Sequence, residues 1–210
     1  MNAPFIVEFA GPPKSGKTTI LERVKYLLPY SLTIRNEVSF NSPVEKKKPL
    51  KYLEWSANEL INRIITDEET SKKQVVIIDC GIASQLALLD AFERGGRVSD
   101  SEKHLSELIR KHLLANLPRE HLIVYVRIPF EEEAARIKNY KFPKGSIMNE
   151  PFLKIFNESY ERVIRELSEN SLINILKVEG TEDPEENAQI VNSEIVKILR
   201  NFKRRSNYEV

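Results

Sequence analysis

The sequence predicts an α/β fold in which a five-stranded parallel sheet carries helices on both faces. Short apolar runs of strand length alternate with longer stretches of helical periodicity along the whole chain. The runs at 74–79 and 121–127 are β-branched and nearly continuous, which is typical of strands covered on both faces. With 210 residues, 41% of them hydrophobic, residues 1–210 are expected to form a single domain with a sizeable core.

Each element follows from its own local pattern. Apolar runs predict strands at 5–10, 31–35, 74–79, 121–127 and 172–178. Apolar residues at intervals of three and four predict helices at 17–28, 53–66, 84–93, 100–115, 131–139, 149–170 and 184–202. Asp183 as N-cap and Pro184 at the first position mark the start of the last helix, and Ser99 with Glu102 predicts a capping box before the fourth.

The composition argues against several classes of protein. Lysine and arginine number 32 against 31 aspartates and glutamates, so the overall charge indicates neither nucleic-acid nor membrane binding. A single cysteine, Cys80, excludes an internal disulfide and fits a reducing compartment. The first residues lack the basic and long apolar parts of a signal peptide, and no stretch reaches transmembrane length. We therefore expect a cytoplasmic location.

One eight-residue run matches the phosphate-binding motif G-x-x-x-x-G-K-[ST]. It follows the first predicted strand and precedes the first predicted helix, which is the context that this motif requires. In such a loop, backbone N–H groups point at phosphate oxygens, the lysine reaches the β- and γ-phosphates, and the Ser or Thr hydroxyl binds Mg²⁺. We therefore expect ATP to be held by Gly11, Pro12, Pro13, Lys14, Ser15, Gly16, Lys17, Thr18 and Thr19.

Charged residues near the strand ends are candidates for the rest of the site. Asp79 ends the third strand, where a carboxylate can join Thr18 in holding Mg²⁺ or can simply cap the following loop. Glu37 follows the second strand and could accept a proton from a substrate hydroxyl or be an ordinary surface charge. Arg127 and Arg136 could neutralise a transferring phosphoryl group or belong to a solvated surface.

Two stretches look irregular, 36–50 and 140–148, and both are candidate active-site loops. The lysines of the first also fit a plain solvated loop: Lys46, Lys47 and Lys48. Glu8 lies inside the first predicted strand, where its charge must face a polar cleft or an ion-pair partner. The three histidines do not cluster with metal-ligating residues, so they are interpreted as structural.

With these residues in place, the chain resembles P-loop nucleoside and nucleotide kinases of the thymidylate kinase and deoxynucleoside kinase group. Besides the phosphate loop, the likeness rests on the segments 75–81, 123–131 and 152–167. The resemblance implies a three-layer αβα sandwich of the P-loop NTPase class with sheet order 2-3-1-4-5 and a lid loop at about 138–150. It also implies that Glu37 is the catalytic glutamate, that Arg136 is a lid arginine, and that the loop 179–181 lies near the ATP base.

Three functions follow from this combination. The leading hypothesis is a Mg²⁺- and ATP-dependent kinase for a nucleoside, nucleotide or similar small acceptor, with catalytic residues Lys17, Asp79, Arg136 and Glu37. The second is a regulatory ATPase or nucleotide switch that acts on a protein partner, because Cys80 stands where the family carries an arginine. The third is a nucleic-acid end kinase, which the near-neutral charge disfavours although lysines and arginines at 46–48 and 203–205 could contact phosphates. A homodimer is compatible with each of these three functions.

Overall fold

The computed structural model describes residues 4–45, 48–118, 121–138, 149–170 and 173–206. Five strands alternate with helices along these residues, as the apolar runs predict. Each strand lies within two residues of its predicted bounds, and together they are β1 (Phe5–Ala10), β2 (Leu32–Arg35), β3 (Val75–Asp79), β4 (His121–Arg127) and β5 (Asn174–Glu179).

The described residues also contain seven α-helices, in the order that the sequence predicts. They are α1 (Lys17–Leu27), α2 (Pro49–Thr70), α3 (Ile82–Arg94), α4 (Lys103–Ala115), α5 (Phe130–Ile137), α6 (Glu150–Ser168) and α7 (Pro184–Ser206). In the part of the chain that the structure describes, none of these helices is long and apolar enough to cross a membrane.

The sheet is parallel throughout, and its strand order is β2-β3-β1-β4-β5. This confirms the predicted order and fold class. The central strand β1 pairs Phe9 with Asp79 of β3 on one side, and Ala10 with Tyr125 of β4 on the other. All five strands therefore end at one edge of the sheet, which is the edge where ligands bind in open α/β folds.

Both faces of the sheet are covered because side chains alternate along each strand. Ile6 and Ala10 of β1 belong to a core that includes residues of α2, α3, α4 and α6. Phe5, Val7 and Phe9 belong to a second core, on the other face, that includes residues of α1 and α7. The result is the three-layer αβα sandwich that the resemblance implies.

The structure differs from the sequence prediction mainly at element ends. Helix α2 begins at Pro49 instead of 53, because proline fits the first turn, where its missing N–H needs no partner. The stretch 36–50 contains a short 3₁₀ helix, Val38–Asn41, where an irregular loop was expected. The predicted helix 100–115 is a 3₁₀ turn, Asp100–Glu102, followed by α4, and the predicted capping box of Ser99 and Glu102 is present at its start.

An ion pair anchors the end of β2 to α2. Arg35, the last residue of β2, donates two hydrogen bonds to the carboxylate of Asp67, one of them from Nε at 2.9 Å. Asp67 is only 2% exposed, whereas the Arg35 side chain is 42% exposed. Glu37 lies two residues after Arg35, so this pair also fixes where Glu37 enters the ligand edge of the sheet.

We expect Arg35→Ala to lower the free energy of unfolding by about 2 kcal/mol, because it leaves the Asp67 carboxylate buried without a cation. The value lies below that of a fully buried pair because Arg35 remains partly in water. Urea unfolding measures it, and adding Asp67→Asn should recover part of the loss. The exposed pair Lys103–Asp100 provides the control, since Lys103→Ala should leave the unfolding midpoint unchanged. Equal effects of the two single substitutions would contradict the anchoring role.

Candidate active site

One cavity of about 560 Å³ opens at the edge of the sheet where the strands end. Most of the residues predicted to bind ATP line one part of it: Gly11, Pro13, Lys14, Gly16, Lys17, Thr18 and Thr19. The other predicted site residues, Glu37, Asp79 and Arg136, line the same cavity. The fold therefore brings four separate segments of the chain to a single place.

The loop between β1 and α1 runs against neighbouring backbone. Gly11 has a φ of 147°, and a Cβ at this position would collide with the carbonyl oxygen of Val126 on β4. Gly16 has a φ of 100° and Lys14 one of 61°, so the loop turns through conformations that side chains disfavour. The two motif glycines are therefore required by the path of the loop itself.

Lys17 ties the loop together at the start of α1. Its Nζ donates hydrogen bonds to the carbonyl oxygens of Gly11 at 2.7 Å and Pro12 at 2.8 Å. Ser15 is fully buried and donates its backbone N–H to the same Pro12 oxygen at 3.3 Å. Helix α1 has no side-chain cap and no acidic residue in its first turn, so its first N–H groups can bind an anion.

Two further contacts hold the loop from outside. Arg136 on α5 donates from Nη1 to the carbonyl oxygen of Lys14 at 3.1 Å and from Nε to Glu132 at 3.0 Å. The loop after β5 packs so closely that a Cβ on Gly180 would collide with the carbonyl oxygen of Ser15. The phosphate loop thus lies between α5 on one side and the end of β5 on the other.

Two carboxylates face the loop from β2 and β3. Asp79 ends β3, and burial raises the pKa of its carboxyl, an effect that the charge of Lys17 opposes and the charge of Glu37 reinforces. Glu37 follows β2 and accepts a hydrogen bond from the hydroxyl of Ser39. Both acids are thus within electrostatic reach of each other, and Asp79 is within reach of Lys17.

The described residues contain no group of three or more His, Cys, Asp and Glu side chains that could hold a metal ion by themselves. Thr18 and Asp79, whose side chains carry oxygen atoms, nevertheless both line the cavity. Mg²⁺ usually takes one or two protein oxygens and completes its shell with phosphate oxygens and water. This donor set therefore fits a Mg²⁺ ion that arrives with ATP better than a resident metal centre.

Cys80 follows Asp79 and lines the cavity in an unusual conformation, with a φ of 60°. Burial raises the pKa of its thiol well above the ordinary value, so the side chain is a neutral thiol and not a nucleophile. Position 80 therefore gives the cavity no cation, and the described cations that line it are Lys14, Lys17 and Arg136.

The same cavity is also lined by one amide and several aromatic rings. Gln85 on α3 is 4% exposed, and its Oε1 accepts a hydrogen bond from Ser56 on α2 at 2.8 Å. Phe156 and Tyr160 lie on α6 with ring centroids 4.9 Å apart, and Tyr52 lies on α2. Burial raises the pKa of both tyrosines, so they remain neutral hydroxyl groups.

Sequence reasoning did not assign a site role to Tyr52, Ser56 or Gln85. The sequence feature that could have identified these residues is a polar side chain at a position that helical periodicity assigns to the core. Tyr52 and Ser56 are one turn apart on the apolar face of α2, and Gln85 lies in a run of small and aliphatic residues in α3. Such residues are buried polar groups, and these need partners from the fold or from a ligand.

Other predicted residues have different surroundings. Arg127 pairs with Glu161 at 2.9 Å and Glu179 at 3.4 Å, and it does not line the cavity, so the structure does not support a phosphoryl-binding role for it. Glu8 is buried, accepts the backbone N–H of Ser84 at 3.3 Å and lies 3.4 Å from Nε2 of His121. Of the two predicted surroundings, Glu8 therefore faces a buried partner, His121, and not a polar cleft.

Some predictions fall on residues outside the described ranges. Most of the predicted lid loop lies there, and so do Lys46 and Lys47 of the lysine run. Their roles stay predictions. Arg136 is described and lies at the end of α5 that leads into the lid segment.

The chain is similar to proteins of one known family. The profile of the deoxynucleoside kinase family matches residues 8–201. No curated protein sequence matches significantly. Among solved structures, deoxyadenosine kinase from M. mycoides with dCMP and dCDP bound has a TM-score of 0.74 at 14% identity, covering 91% of this chain and 99% of that one.

Two more structures of the M. mycoides enzyme are similar to this chain. The complex with dATP has a TM-score of 0.69 at 13% identity, over 91% of this chain and 98% of that one. The complex with dCTP has a TM-score of 0.72 at 14% identity, over 91% of this chain and 99% of that one. At this identity the structures show a shared fold, while the family profile spans nearly the whole chain. The protein therefore belongs to the deoxynucleoside kinase family, a family of phosphotransferases.

Proposed function

We propose that the protein transfers the γ-phosphoryl group of Mg²⁺-ATP to a hydroxyl group of a nucleoside. The observation that carries this proposal is the composition of the cavity. The same cavity is lined by a phosphate loop with Lys17 and by Arg136, by the carboxylates Glu37 and Asp79, and by an amide and aromatic rings. Such a cavity can hold a polyphosphate and a flat polar ring on either side of a reacting hydroxyl.

The phosphate end supplies binding and charge. Phosphate oxygens compete with the carbonyl oxygens of Gly11 and Pro12 for the ammonium protons of Lys17, while the first N–H groups of α1 add further donors. Arg136 needs only to turn its guanidinium from the Lys14 carbonyl to reach a transferring group. Mg²⁺, held by Thr18 and Asp79, would neutralise phosphate charge.

The carboxylates serve the acceptor. Glu37 is the proposed general base, because it extends from the end of β2 into the cavity beside Asp79. The acceptor oxygen forms a bond to the γ-phosphorus, the bond from that phosphorus to the β–γ bridging oxygen breaks, and ADP leaves. The proton of the acceptor hydroxyl passes to Glu37.

The amide of Gln85 is proposed to bind the nucleoside base. Ser56 donates to Oε1 of Gln85, so that both N–H bonds of the Gln85 amide remain for a ligand. A base with an unprotonated ring nitrogen on its pairing edge, as in adenine and cytosine, accepts such a bond. Hypoxanthine and uracil carry an N–H at that position and would face the amide donor with another donor.

The first test is ADP formation with Mg²⁺-ATP, alone and with a panel of nucleosides and nucleoside monophosphates. We expect nucleosides to stimulate ADP formation, and Lys17→Ala to abolish it because the β- and γ-phosphates lose their cation. Circular dichroism should show that this variant remains folded. Slow ATP turnover that no acceptor stimulates would overturn the kinase proposal and favour a regulatory ATPase. Stimulation by nucleic-acid ends alone would favour an end kinase.

Arg136→Ala should lower kcat about 10²- to 10³-fold while the KM for ATP changes little, because the guanidinium is proposed to act on the transferring group. Arg23→Ala is a matched control, since Arg23 also bonds one backbone carbonyl, of Thr19, and one carboxylate, of Glu185, but lies outside the cavity. It should leave kcat unchanged. A loss confined to ATP affinity in Arg136→Ala would argue against a transition-state role.

Base recognition predicts that kcat/KM is at least about tenfold higher for deoxyadenosine than for deoxyinosine, and for deoxycytidine than for deoxyuridine. Ser56→Ala frees the amide of Gln85 to turn, so it should reduce this ratio more than it reduces the rate with the better substrate. The opposite preference in the wild-type protein would mean that Gln85 presents its oxygen to the ligand and would refute the assignment.

A further inference from the structure

Glu133 on α5 is a buried acid that the proposed reaction does not use. Its side chain has no exposed surface. Its Oε2 accepts a hydrogen bond from Nδ2 of Asn157 on α6 at 2.8 Å, and the same Nδ2 donates to the carbonyl oxygen of Ile128 at 3.0 Å. Its Oε1 is buried and has no hydrogen-bond partner among the described residues. One half of this carboxyl group is therefore unsatisfied.

The position of Glu133 links it to the phosphate loop. Arg136 lies nearly one turn later on the same short helix and donates to the carbonyl oxygen of Lys14 in that loop. The groups that act on the Glu133 carboxyl are the Asn157 amide from α6 and the ammonium group of Lys17 from the start of α1. On its own helix, Arg136 is paired with Glu132 and directed to the loop.

Burial raises the pKa of Glu133 to about 7, an increase that the Asn157 hydrogen bond and the charge of Lys17 partly offset. At neutral pH the group is therefore divided between its protonated and ionised forms. An ionised Glu133 is stabilised by Lys17, whose charge the phosphates of ATP would neutralise. Bound ATP thus offsets the charge of Lys17, which acts on the Glu133 carboxyl, and it adds negative charge of its own.

We propose that Glu133 takes up a proton when ATP binds to the phosphate loop, so that the buried acid on α5 couples nucleotide binding to protonation. This inference rests on the part of the proposed function in which the loop binds ATP, and it is independent of the acceptor. Since linkage is reciprocal, ATP binds more tightly to the protein whose Glu133 is protonated. ATP affinity accordingly falls as the pH rises through the titration range of this group.

Calorimetry with a non-hydrolysable ATP analogue and Mg²⁺, in buffers of different ionisation enthalpy, measures the proton uptake. If ATP raises the pKa of Glu133 by about one unit, uptake at pH 7 is roughly 0.4 proton, and the Kd rises about fivefold between pH 6 and pH 8. Glu133→Gln removes the titrating group and keeps a polar side chain of the same size. Proton uptake by Glu133→Gln on binding the analogue should be lower than that of the wild type by the same fraction of a proton. The Kd of this variant for the analogue should stay near the value that the wild type has at low pH.

Two further variants sharpen the comparison. Glu131→Gln alters an exposed acid on the same helix, so its uptake and Kd should match the wild type. Glu133→Leu has a similar volume and no charge, so it should repeat the Glu133→Gln result if that variant folds poorly. Uptake that is equal in wild type and Glu133→Gln overturns the inference, and so does the absence of any ATP binding.

Unfolding gives a readout that needs no nucleotide. A carboxyl group whose pKa is raised on folding favours the folded state below its ordinary pKa, and this contribution is lost as the pH rises from about 4.5 to about 7. The wild type should therefore lose more stability than Glu133→Gln over this interval. Parallel stability profiles would refute a titrating Glu133. ATP binding with proton uptake but without acceptor phosphorylation would overturn the proposed kinase function alone.

Discussion

The site depends on how closely the phosphate loop approaches the backbone of the sheet. Gly11 faces the carbonyl oxygen of Val126 at the end of β4, and Gly180, just after β5, faces the carbonyl oxygen of Ser15. Neither contact has room for a Cβ atom, so the loop packs directly against the ends of β4 and β5. This constraint fixes the loop before any ligand arrives, and a preorganised set of N–H donors loses little entropy on binding an anion. The parallel sheet makes this close approach possible, because every strand ends at the same edge.

Charge is divided across the cavity in a way that suits phosphoryl transfer. The described cations that line it all belong to the phosphate loop or to α5, whereas the carboxylates of Glu37 and Asp79 come from the opposite strands. Cys80 places a neutral thiol, and no cation, beside these acids. This part of the cavity therefore offers no described cation from position 80 to a second phosphate group.

Much of this arrangement could be predicted from the sequence, and the part that could not has a physical reason. The phosphate loop was predictable because its glycines, Lys17 and Thr18 lie within one short segment whose local geometry defines the function. Strand order and the clustering of Glu37 and Asp79 followed from the resemblance and from the common edge of a parallel sheet. Gln85 and Ser56 were not assigned, because their meeting depends on how α2 packs on α3, which no local pattern records. Arg127 lies at the expected strand end, yet Glu161 on a distant helix draws it away from the cavity.

Two buried acids differ in how well the fold satisfies their hydrogen bonds. Glu8 is fully engaged, since it receives the backbone N–H of Ser84 and lies beside His121, and it serves the packing of α3 on β1. Glu133 is only half engaged, because one of its oxygens lacks a partner among the described residues. An unsatisfied buried oxygen costs stability that replacement by an apolar side chain would restore. A residue that is unfavourable for folding and lies one turn before Arg136 is therefore better explained by what happens when the phosphate loop is occupied than by the stability of the empty protein.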